Sequence, residues 1–193
     1  ASLSHVFNYY AEVGDVARAV AVAETPMFAW VGESTGLSQI ISSALELVPP
    51  DSHEAGRLLA RHGSLLGQEG GDYEAAQEAF TRALTIAQSH GDVALEVRTL
   101  ANASQVHAHH GRHQEAIEAG LRAIEMASRI DAPGDEATAR YYTSLALASN
   151  GDREGARRLT TALLDLAERL RDHQLLSTAF NANQVFCRHA GDW

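Results

Sequence analysis

The sequence predicts an all-α fold assembled from repeated antiparallel helix pairs. Three observations carry this prediction. Glycines recur at a fixed spacing, an apolar stripe at helical intervals follows each of them, and the period-two alternation of β-strands is scarce throughout the chain.

Gly71, Gly111, Gly151 and Gly191 stand forty residues apart and open the segments "GDYEAAQEAF", "GRHQEAIEAG", "GDREGARRLT" and "GDW". A period of this size is the mark of a solenoid, in which each unit buries its apolar face only by stacking on its neighbours. After each of the first three glycines come Ala76, Ala116 and Ala156, then Ala83, Ala123 and Leu163, then Leu84, Ile124 and Leu164, then Ala87, Ala127 and Ala167. Within the first of these segments Tyr73, Ala76, Phe80, Ala83, Leu84 and Ala87 advance in steps of three and four, which places them on one helical face. The alanines let a neighbouring helix approach closely. Asp72 and Asp152 follow their glycines and are placed to cap the free N–H groups of a helix start.

Another helix precedes each of these. Pro49-Pro50 breaks the chain, and Asp51 with Glu54 three residues later reads as a capping pair for a helix running to Glu69. Counterparts are expected to start near Asp92, Asp135 and Asp172. The repeats are thus expected at 51–90, 91–130, 131–170 and, incomplete, 171–193. Residues 1–50 are expected to be divergent helical repeats: "GDVARAVAVAE" from Gly14 puts Ala19 in the shared alanine place, while Pro26 and Gly32–Gly36 interrupt the pattern. Because an array needs a cap and this one stops as a second helix begins at Trp193, the chain is expected to be a piece of a longer protein.

Gly71-Asp72-Tyr73, Ala76, Phe80 and Ala83 match, in order and spacing, the second helix of the tetratricopeptide repeat, which the region 51–193 resembles. The first helix departs from that pattern. The family's bulky aromatic is replaced by Ala60, Leu100, Arg140 and Phe180, and its glycine by Ser64, Ser104 and Ser144. The resemblance implies a right-handed superhelix whose first helices line a concave groove for a protein or peptide. It places Arg61, Leu65 and Gln68 in that groove, followed by Arg98, Ala101, Asn102, Gln105 and His109, then Thr138, Tyr141, Tyr142 and Leu145, and finally Thr178, Asn181, Val185 and Arg188. Arg61, Gln68, Arg98, Asn102, Gln105, Tyr141, Tyr142, Asn181 and Arg188 are the recognition residues among these. They offer planar forks, amides and amphipathic rings. The forty-residue unit is similar to the sensor arrays of LuxR-type and maltose-activator-like ATP-dependent bacterial regulators. That similarity implies a scaffold in signal transduction, with a small-molecule inducer as an alternative occupant of the groove.

Composition narrows the functional classes. All fifteen basic residues are arginines, so neither a Walker phosphate loop nor a lysine Schiff base can exist here. A formal net charge of −10 argues against nucleic-acid binding by this segment. No apolar run approaches the ~20 residues of a membrane helix. The single cysteine, Cys187, cannot form an internal disulfide, which favours a reducing cytoplasm. No cofactor is expected. Self-association through an uncapped C-terminal end is a further expectation.

Two motifs suggest chemistry. "GESTG" (32–36) matches the G-x-S-x-G nucleophile elbow with Ser34 as an esterase-like nucleophile, but that turn works on a parallel sheet, and the remaining sequence supplies helices. The plainer reading is a glycine-rich loop with Ser34 or Thr35 capping the next helix. "HAHHGRH" offers His107, His109, His110 and His113. Gly111 places a turn among them and no matching cysteine or carboxylate cluster completes a site, so a histidine-rich turn is favoured over a metal centre. The fold is therefore expected to be a non-enzymatic scaffold.

Overall fold

The computed structural model describes residues 2–25 and 36–190, and the described residues contain helices and turns without a strand. The helices are α1 (Leu3–Glu12), α2 (Val16–Ala23), α3 (Leu37–Leu45), α4 (His53–Leu65), α5 (Tyr73–His90), α6 (Val93–His109), α7 (His113–Ala127), α8 (Pro133–Ser149), α9 (Arg153–Leu170) and α10 (His173–Ala190). A single wide turn of π-helix, Leu66–Gly70, extends α4. From α4 onward the helix starts fall at 53, 73, 93, 113, 133, 153 and 173, a spacing of twenty residues. The forty-residue period is therefore two such intervals.

The punctuation is local. Asp72, Asp92, Asp152 and Asp172 accept hydrogen bonds from the backbone N–H groups of Ala75, Leu95, Gly155 and Leu175, each at 2.8–3.1 Å. Asp15 does the same for Arg18 at the start of α2. The cap of α4 is Ser52, whose hydroxyl accepts from Ala55 at 3.1 Å, one residue beyond the expected Asp51. Asp135 lies inside the first turn of α8, which starts two residues earlier at Pro133. Proline fits there because its missing N–H would have had no helical partner.

Glycines in the left-handed region close the preceding helices at Gly71, Gly91, Gly111 and Gly151. At the end of α9 the equivalent place is taken by Arg171, with φ 53°. A Cβ in this region crowds the following carbonyl. Arg171→Gly is expected to raise stability by about 0.5–1 kcal/mol, the relief of that crowding less the entropy that glycine adds to the unfolded chain. A thermal midpoint that falls would mean that the arginine side chain contributes more than its backbone costs.

The described chain forms two compact units, Ala1–Thr99 and Leu100–Trp193, with the boundary inside α6. In the first, α1 to α5 pack in sequence, each helix on the next. Their core joins Phe7, Ala19, Val20, Leu37, Ile41, Leu58, Leu59 and Ile86. In the second, α7 packs on α8, α8 on α9, and α10 on both α9 and α8. Ala137, Leu163, Leu166, Ala179 and Ala182 form one core cluster there; Ala116, Ile117 and Ala146 form another. The stripe predicted for the second helices is buried at Ala76, Phe80, Ala83 and Ala87, at Ala116, Ala123 and Ala127, and at Ala156, Leu163 and Ala167.

Ser64 stands in the place of the family's glycine, yet it is Gly63 that closely meets the neighbouring helix. A Cβ on Gly63 would lie 2.7 Å from the ring of Phe80 and 3.0 Å from the carbonyl oxygen of Ala76. Ser104 behaves as its position implies: fully buried, it donates to the carbonyl of Ala116 at 2.9 Å and ties α6 to α7. In place of the family's aromatic residue, Ala60 and Leu100 are buried, whereas Phe180 is 62% exposed.

Candidate recognition face

In the second unit the alternate helices meet along one face. α8 and α10 touch directly, and α6 reaches α8 through side chains. Gln105 Nε2 donates to the Tyr142 hydroxyl at 2.8 Å. Around that bond the rings are set edge to face. Tyr141 and Tyr142 have centroids 4.9 Å apart at 89°, and His109 stands 5.2 Å from Tyr142 at 87°. Such packing matches the positive edge of one ring to the negative face of the next. Gln105, Tyr141 and Tyr142 are half-buried, so each keeps part of its surface toward solvent.

Burial pushes the Tyr142 phenol up to about 12, with neighbouring Tyr141 adding to the rise and the bond from Gln105 opposing it. Burial also raises Tyr141. Both phenols are neutral through the physiological range and can donate to a partner's carbonyl or carboxylate. The cluster is an apolar shelf with hydroxyl and amide groups at its edge. Aromatic rings with amides beside them are common in recognition surfaces.

The other recognition candidates are distributed differently. Asn102 is half-buried one turn before Gln105, and Asn181 is exposed on α10. Arg98 is exposed on the part of α6 that belongs to the first unit. Gln68, in the π-turn, donates to Ser64 Oγ at 2.6 Å. Arg61 donates to the carbonyl oxygen of Glu24 at 2.6 Å and to that of Thr25, while Arg57 Nε donates to the Glu24 carboxylate at 2.6 Å. These two arginines fasten α4 to the C-terminal end of α2, where carbonyls are unpaired and the helix dipole is negative. The Arg188 side chain and Ser34 lie outside the described residues. Gly36, the last residue of the Ser34 motif, is left-handed and precedes α3 directly.

The histidine-rich turn is split as its glycine implied. His107 and His109 belong to the end of α6 and His113 opens α7. His107 is buried, and burial lowers its pKa. The Nδ1 atom of His113 is buried without a hydrogen-bond partner among the described residues. Among the described residues no group of three or more histidine, cysteine or carboxylate side chains is placed to hold a metal ion. None of the described helices is long and apolar enough to cross a membrane.

Sequence reasoning missed a cleft of about 550 Å³ between the end of α7, the start of α8 and the flank of α9. Its signal was present in "SRIDAPG" (128–134), which puts Asp131-Ala132 where the other second helices end in Gly91-Asp92 and Arg171-Asp172.

No curated protein matches the chain. Residues 54–129, which run from the start of α4 past the end of α7, match the family model of the tetratricopeptide repeat. The chain therefore carries a tetratricopeptide repeat region across residues 54–129.

Proposed function

We propose that the chain is a non-enzymatic scaffold that takes a protein or peptide segment across the face made by α6, α8 and α10. The observation that carries this reading is the Gln105–Tyr142 bond with Tyr141 and His109 packed around it. It pre-orders a half-exposed aromatic shelf, so little side-chain entropy remains to be lost on binding. Tetratricopeptide regions generally bind proteins and peptides, which supports the same assignment. Asn102 and Asn181 extend the shelf with amides able to pair with a partner's backbone. The repeats are read as 51–90, 91–130, 131–170 and 171–193, after divergent units in 1–50.

The forty-residue period supports a sensor role in a bacterial signalling regulator of the LuxR-type or maltose-activator-like kind, acting in the cytoplasm. A partner that binds one arrangement of the helices better than another shifts the population toward it, and an attached output module follows. A small-molecule inducer is the second reading, favoured by the neutral, half-buried tyrosine pair.

The test is selection of random dodecapeptides displayed on phage. Selected binders are expected to lose about tenfold in affinity on Tyr141→Ala or Tyr142→Ala, the effect of removing one aromatic anchor, while the helical circular dichroism is retained. Binders indifferent to both substitutions would remove the α6–α8–α10 face from consideration. A thermal midpoint raised by sugars, with no peptide selected, would favour the inducer.

A further inference from the structure

The cleft beside α7 comes from an irregularity in an otherwise regular array. α5 and α9 each have eighteen residues and end at a left-handed residue, Gly91 or Arg171. The capping aspartates Asp92 and Asp172 follow at once. α7 has fifteen residues and stops at Ala127. In the corresponding places stand Asp131 and Ala132. Ala132 precedes Pro133, whose ring excludes the helical conformation from the residue before it; Ala132 accordingly has φ −130° and ψ 58°. It also has no side-chain acceptor for a cap. The chain leaves the helix through tight turns instead, Arg129 N–H bonding to Met126 and Ile130 N–H to Ala127. The missing last turn of α7 opens the cleft, whose size falls in the range of ligand pockets.

Its lining separates into floor and rim. Ile130, Pro133 and Leu166 are among the apolar residues, and Leu170 at the edge is 42% exposed. Inside, Arg140 gives two hydrogen bonds to one oxygen of Glu136, at 2.6 and 2.8 Å, in a pair whose side chains are 18% and 15% exposed. That cation is already neutralised. At the rim the Asp131 and Asp165 carboxylates have no ion-pair or hydrogen-bond partner among the described residues, and besides Arg140 the cation in the cleft lining is Arg169. The rim is therefore net negative, on a chain whose formal charge is −10.

We propose that this cleft is a second binding site, separate from the α6–α8–α10 face, and that it takes the side chain of an arginine or lysine from a partner polypeptide. An apolar floor suits the methylene stem, and two carboxylates at the mouth suit the charged head. A polyamine would leave further charges over the apolar floor, which favours a single basic side chain.

The probe is the peptide acetyl-Gly-Arg-Gly-amide, titrated into the isotope-labelled chain and followed by amide NMR shifts. Saturable shifts are expected in residues 127–133 and 162–170. The citrulline peptide, which keeps the shape and loses the charge, is expected to bind at least about fivefold more weakly. The Asp131→Asn/Asp165→Asn double variant is expected to lose a similar factor toward the arginine peptide, with its thermal midpoint unchanged, since neither carboxylate supports the fold. Equal binding of the arginine and citrulline peptides would overturn the proposal. So would shifts confined to other parts of the surface, an unaltered affinity in the double variant, or tighter binding of spermidine than of the peptide.

Discussion

Phe80→Ala is expected to destabilise the first unit by about 3–5 kcal/mol, the range for deleting a fully buried aromatic ring. Phe80 is 2% exposed and is the largest fully buried side chain among the described residues. Its ring lies against Gly63, where α4 has no Cβ, so the two helices are fitted at that point by removing one side chain to seat another. Truncation leaves a void that α4 can fill only by sliding. The complementary change, Gly63→Ala, drives a methyl into the same ring and against the Ala76 carbonyl, so the buried ring or the backbone must shift. Stability in repeat folds is local, a sum over units and their interfaces. The loss is therefore expected first in the amide exchange protection of α4 and α5, and then in the urea midpoint. The Gly63→Ala/Phe80→Leu pair should cost less than the two single changes added together, because the smaller side chain makes space for the new methyl. Strict additivity, or a Phe80→Ala protein with unchanged protection in α4, would show that this contact does not hold the pair together.

The parts of this architecture legible in the sequence are those fixed by short-range chemistry. The starts of α5, α6, α9 and α10 each carry an aspartate that caps the helix through a residue three positions on, so a few letters suffice to locate them. α8 escaped the same reading because its start is set by Pro133 after an unmarked Ala132, and Asp135 lies within its first turn. The exchange of Ser64 for Gly63 at the α4–α5 contact was not legible either. Two small residues stand side by side, and the crossing of the helices decides which one meets the neighbour. The tetratricopeptide resemblance placed Gln105 and Tyr142 on the same groove face. It could not anticipate that Arg61 reaches back 36 and 37 residues to two carbonyls, since that bond depends on where α2 ends. The cleft was hidden for a different reason: it results from a helix turn that does not form, and pattern matching rewards what is present.

The glycine at which α7 meets α8 supplies the other large expected effect. A Cβ on Gly120 of α7 would fall on Thr143 Oγ1 of α8 and lie 2.8 Å from Ser104 Oγ of α6. Three helices converge there, and one turn earlier Ser104 donates to the Ala116 carbonyl. Gly120→Leu is expected to destabilise by about 3 kcal/mol, at the upper end of overpacking, because the added side chain runs into both the buried Thr143 and the Ser104 hydroxyl that makes that bond. Gly120→Ala sets two effects against each other. Alanine gains about 1 kcal/mol of helix propensity over glycine, but Thr143, stiff at its branched Cβ and fully buried, must turn away. Loss of packing is expected to win, leaving a net cost of about 1 kcal/mol. Thr143→Ala separates the two contributions. Its hydroxyl is buried without a hydrogen-bond partner among the described residues, so removing it relieves an unsatisfied group and costs little. On that background Gly120→Ala should turn from destabilising to neutral or stabilising, a change of sign visible in urea unfolding. If Gly120→Ala costs the same with and without the Thr143 hydroxyl, the close approach of α7 and α8 is not what excludes a side chain at this position, and Ser104 alone would have to account for the glycine.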